Sequence, residues 1–131
     1  MPRFLARQLL VGAAFAVFGA AAFGAVGVNK SFTPNSVTAG QVSSLTIVLL
    51  NPNALAATGV ALTDTLPANV VVANPLTIAT NTCGFAVAAT PGTQPVALSG
   101  GSIPGISGGA PGQCQLTINV VSSVPSTYLN T

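Results

Sequence analysis

Gly59-Val60-Ala61-Leu62-Thr63-Asp64-Thr65-Leu66-Pro67 is the stretch that decides the fold. Its period of two puts Val60, Leu62, Asp64 and Leu66 on one face of a β-strand and Ala61, Thr63 and Thr65 on the other. Three of the four residues on the first face are core types, so the same face carries a carboxyl inward. Asp64 is also the only acidic residue of the chain. A lone carboxylate inside an apolar core is too costly to keep, so this one has to be protonated, hydrogen-bonded or partnered.

Working outward, the same reading gives a series of short strands. Asn29 to Phe32 is a first strand, ended by Thr33-Pro34-Asn35. Gln41 to Leu50 is the longest, with Leu45, Ile47 and Leu49 on one face and Ser44, Thr46 and Val48 on the other; Asn51-Pro52-Asn53 closes it, because proline has no N–H for a ladder. After Gly59 to Leu66 come Val70 to Ala73, a strand around Leu76 to Thr82, and a pair at Phe85 to Ala89 and Pro95 to Leu98. Ser99 to Gly112, rich in glycine and proline, reads as a long loop. Cys114 to Val121 alternates again with Leu116, Ile118 and Val120 inward, and Thr127 to Thr131 reads as a final strand. From Val28 onward no helical period is sustained. About seven to eight strands separated by Pro, Gly and Asn turns predict an all-β, immunoglobulin-like two-sheet β-sandwich.

The chain has 131 residues, which accommodates one domain of about 100 residues and a targeting segment. Half of it is hydrophobic and only 3% is charged. The charges are Arg3, Arg7, Lys30 and Asp64, so the body beyond the first residues is nearly uncharged. A groove for nucleic acid needs clustered Lys and Arg, and that class is excluded. Histidine and tryptophan are absent, which removes most zinc, haem and triad chemistry; one Asp cannot build a calcium site, so neither a metal nor another cofactor is expected.

Met1 to Gly27 starts with Arg3 and Arg7, runs through an apolar stretch from Leu9 to Phe18 and continues in Gly and Ala. It reads as a secretory signal with small-x-small cleavage patterns at Ala20-Ala21-Ala22 and Ala22-Phe23-Gly24, or as a retained apolar helix able to span a membrane or pack against other copies. The domain is then Val28 to Thr131. Behind an export signal, Cys83 and Cys114 read as one disulfide closing a loop of about 30 residues, worth about 3 kcal/mol; the other reading is two buried thiols.

Four motifs occur in order: Lys30-Ser31-Phe32-Thr33-Pro34, Leu45 to Asn53, Gly59 to Pro67, and Tyr128-Leu129-Asn130-Thr131. From about Val28 to its end the chain resembles the bacterial conserved-repeat domain of unknown function found, often in tandem, in large secreted and adhesin-like surface proteins. The resemblance implies an immunoglobulin-like stalk module with a structural or adhesive role and no catalysis. Two departures stand out. Family members usually continue past the Asn-Thr motif, and only one copy is present here. With the resemblance in view, the disulfide is expected to be local to this family rather than the inter-sheet pin of antibody domains.

Lys30, Asp64 and Asn130 all fall in the inward register of their strands. The trio resembles the Lys–Asn amide cross-link beside a carboxylic acid in Gram-positive pilin and adhesin domains, a reaction needing a neutral amine and a protonated acid. An ordinary Lys30–Asp64 ion pair is the second reading. A third has Lys30 exposed and Asp64 capping the Thr65-Leu66-Pro67 turn.

The functional expectation is therefore a secreted or cell-surface structural module, an adhesin stalk or fibre component that is not an enzyme. Its partners would be copies of itself or neighbouring surface-protein domains, with the membrane reached only through residues 1–27. One alternative is a filament subunit joined by strand or N-terminal-arm exchange. Another is a carbohydrate- or protein-binding module whose edge is formed by the loops Ala88 to Gln94 and Ser99 to Gly112.

Overall fold

The computed structural model of the protein describes residues 24–128. The expected apolar helix or signal over residues 1–27 lies almost entirely outside them. Ten strands form: β1 Gly27–Thr33, β2 Ser36–Val37, β3 Val42–Asn51, β4 Ala57–Thr65, β5 Val70–Val72, β6 Ile78–Asn81, β7 Ala86–Ala89, β8 Pro95–Ile103, β9 Gly112–Ser122 and β10 Ser126–Thr127. The described residues are thus all-β, and every pairing is antiparallel.

The first sheet runs β1-β3-β9-β5, with β6 also on β9; the second runs β4-β8-β7; β2 and β10 make a two-residue ladder. At the centre of the first sheet β3 and β9 pair over ten positions, from Val42↔Val121 to Asn51↔Gly112. Alternation then sends Leu45, Ile47 and Leu49 of β3 and Leu116, Ile118 and Val120 of β9 into the interior. There they meet Val60 and Leu62 of β4 and Val96 and Leu98 of β8 in a single apolar cluster. The opposite face of β3 and β9 is half-buried and polar, with the hydroxyls of Thr46 and Thr117 hydrogen-bonded at 3.2 Å.

The structure has more strands than the seven to eight expected, because the β2–β10 ladder is too short to leave a periodic signal. It also corrects the loop expected at Ser99 to Gly112. Residues as far as Ile103 continue β8 and pair with the first half of β4, through an irregular register between Ala57 and Leu62. Gly100 adopts a φ of 69°, which suits glycine, and Gly101 gives up its side-chain space to the ring of Phe85, which a Cβ would strike. Two glycines that read as loop residues therefore carry the strand past an aromatic ring.

Asn51, at the end of β3, is fully buried. Its Nδ2 donates to the carbonyls of Leu55 at 2.8 Å and Pro104 at 3.1 Å, while its Oδ1 accepts from the Asn53 amide at 3.0 Å and the Asn53 Nδ2 at 2.8 Å. Asn53 in turn exchanges hydrogen bonds with the main chain of Gly24. One side chain thus fastens the β3–β4 connection, the segment after β8 and the entry to β1, where Val26 is already a core residue. Asn51→Ala should lower stability by about 2–4 kcal/mol, since it leaves several buried polar groups unpaired. Urea unfolding of the two proteins measures this, with Asn53→Ala expected to cost less.

Candidate functional site

Lys30 and Asp64 meet between the two sheets. Lys30 is the middle residue of β1, on the inward face with Val28 and Phe32, and Ile47 is its partner across the ladder. Asp64 lies near the end of β4 on the inward face with Val60 and Leu62, paired with Val96. Ile47 and Val96 are both fully buried, so the two polar heads stand among apolar walls. The Lys30 Nζ donates to the Asp64 Oδ1 at 2.9 Å. Their side chains are 2% and 0% exposed, which makes the contact one of the driest places in the molecule.

Asp64 does not cap the following turn. Leu66 accompanies it inward, and the turn is held from elsewhere, by the Gln94 Nε2 donating to the Pro67 carbonyl at 2.8 Å. Asn130, the third member of the expected trio, lies outside the described residues. Tyr128, two residues before it, is placed: its amide donates to the Asn35 carbonyl at 2.7 Å and its ring packs against the core. The Tyr128 hydroxyl donates to the Val124 carbonyl at 2.7 Å and lies 3.0 Å from the Ser122 hydroxyl, hooking the chain back onto the end of β9.

Cys83 and Cys114 form a disulfide between buried residues 31 apart in sequence. Cys114 belongs to β9 in the first sheet. Cys83 lies where the chain crosses from β6, in the first sheet, to β7, in the second, and its carbonyl accepts from the Ser102 amide of β8 at 2.9 Å. The bond therefore anchors the crossover between sheets, a wider role than the local one expected. Among the described residues, no three of His, Cys, Asp and Glu gather as a metal site would require.

The two loops expected to form one binding edge lie at opposite ends of the second sheet. Residue 95 pairs with Thr65 at one end of β4 and Ile103 with Ala57 at the other, about 27 Å away along β8. Ala88 and Ala89 are themselves strand residues. Sequence reasoning took Asn51 for a mere strand terminator and missed its buried role. A polar residue at the end of the longest strand, followed by Pro and a second Asn, was the available signal.

Breaking a buried ion pair by removing one partner costs about 3–5 kcal/mol, whereas replacing both by apolar residues is often neutral. Asp64→Leu alone should therefore destabilise the domain strongly, and Lys30→Met with Asp64→Leu should recover most of the loss. Chemical denaturation of the single and double variants measures the coupling.

No curated protein matches the chain. A family model does, over residues 27–131, from the first residue of β1 past the Lys30–Asp64 pair and the disulfide. The chain belongs to the family described as domain of unknown function DUF7933.

Proposed function

We propose that this domain is a secreted structural module of a bacterial cell-surface protein, a stalk or fibre component with an immunoglobulin-like sandwich, acting through mechanical persistence and self-association. The observation that carries this reading is how the chain spends its reactive residues. Between residues 24 and 128 there are one Lys, one Asp and two Cys. All four are turned inward, where they tie one sheet to the other. The pair joins β1 to β4, and the disulfide joins β9 to the crossover. A buried disulfide is consistent with an oxidising compartment outside the cell.

The surface supports self-association. With Lys30 and Asp64 buried, the described exterior bears no Lys, Arg, His, Asp or Glu and is built from Thr, Ser, Asn, Gln, Gly and small apolar residues. Among the described residues β7 is an edge of the second sheet, reading Ala86-Val87-Ala88-Ala89 without the charges that usually guard an edge. A filament subunit joined by strand exchange uses the same edges and is the nearest alternative.

Two measurements test the reading. In single-molecule stretching from the two ends, the disulfide should withhold its 31-residue loop, about 11 nm of extension, until a reductant is added. Unfolding at forces no higher than those of an ordinary soluble β-domain would remove the mechanical role. Ala88→Lys places a charge on the exposed side of β7 and should lower association in sedimentation velocity at high protein concentration. A wild-type chain that stays monomeric throughout would overturn self-association.

A further inference from the structure

We infer that the Lys30–Asp64 pair is the reactive half of a self-formed amide cross-link, completed by the side chain of Asn130. This chemistry goes beyond the mechanical role proposed above and stands or falls separately from it.

The first ground is the pair itself. A chain that bears no other Lys, Asp or Glu beyond residue 23 places its one amine and one carboxyl in contact at 2.9 Å inside an apolar cluster. For stability alone such a pair is a poor choice, since apolar residues of similar size serve as well or better. As a reactive pair it is well chosen. Apolar walls make separated charges costly and so favour the arrangement with the proton on the carboxyl and a neutral amine. A neutral lysine amine held immobile is a nucleophile, and a carboxylic acid beside it is a proton donor.

The second ground is reach. β10 runs antiparallel to β2, which follows β1, so the chain arrives at Tyr128 heading back towards β1. Tyr128 and Phe32 line the same cavity, and Lys30 stands two residues from Phe32 on the same face of β1. Two extended residues cover about 7 Å, which equals the spacing of Phe32 and Lys30 along β1. Asn130, with its carboxamide, is two residues beyond Tyr128 in the sequence, within that span.

The step balances without oxidant or cofactor. The Lys30 Nζ attacks the Asn130 Cγ while the Asp64 carboxyl protonates the amide oxygen. The tetrahedral adduct collapses with transfer of a proton to Nδ2, the Cγ–Nδ2 bond breaks, and ammonia leaves. The products are a secondary amide between the two side chains and Asp64 returned to its starting form. Holding the amine and the amide together replaces a slow encounter with an intramolecular one.

The test uses the fact that Lys30 is the only lysine of the chain. In the purified, denatured and reduced full chain, trypsin should fail to cut after Lys30, because an acylated amine is not recognised. The intact mass should be lower than calculated by one ammonia, and a chymotryptic digest should contain a branched peptide joining Lys30 to Asn130. Asn130→Ala should restore both the cut and the mass. Asp64→Asn, which keeps the shape of the side chain but not its acid, should greatly slow or abolish the loss. Efficient cleavage after Lys30 in the wild type would overturn the inference. So would a missing ammonia that persists in Lys30→Ala, which would mark a backbone imide at Asn130 instead.

Discussion

The contact on which the structure depends is the hydrogen-bonded pair of Lys30 and Asp64. It connects the first strand to the fourth across the interior, so it joins two sheets that otherwise meet mainly through apolar side chains. Apolar contacts are non-directional and allow one sheet to slide over the other by small amounts. A charged or proton-sharing contact at 2.9 Å does not, because a shift of an ångström would strand both groups without solvent. Register between the sheets is therefore held by polar geometry at one place and by a covalent bond at another. The disulfide from β9 to the β6–β7 crossover is that second place.

Much of the fold was legible in the alternation of apolar residues. Val60, Leu62, Asp64 and Leu66, then Leu45, Ile47 and Leu49, and finally Leu116, Ile118 and Val120 take the inward positions that a period of two assigns. A period of two is a strong signal where one face of a strand is buried, and all three segments satisfy that condition. Where the physical cause is different, the signal fails. The β2–β10 ladder is two residues long and leaves no period to read. The second half of β8 runs through Gly100 and Gly101, whose conformational freedom reads as a loop although a neighbouring strand and a phenyl ring hold them in a sheet.

Asn51 illustrates a different limit. Its sequence neighbours mark a turn, and the chain does turn there, yet its importance comes from carbonyls at residues 55 and 104 that only the folded chain brings near. Of the candidate site, the inward placement of Lys30 and Asp64 came from register alone. That they meet each other did not. Their meeting depends on which strands stand opposite across the core, and local periodicity carries no information about that. The position of Cys83 at a crossover is of the same kind.

The ladder of β3 with β9 bears on how the chain comes to be folded. Residue 42 pairs with residue 121 and residue 51 with residue 112, so the centre of the first sheet has no second half until nearly the whole chain has been synthesised. Contacts so distant in sequence make folding slow, because the entropy of closing a large loop is lost before any packing is gained. Cys114 sits on the same late strand, so its thiol emerges well after that of Cys83. The nascent polypeptide therefore stays open and threadable for most of its length, and closes only when its final third arrives.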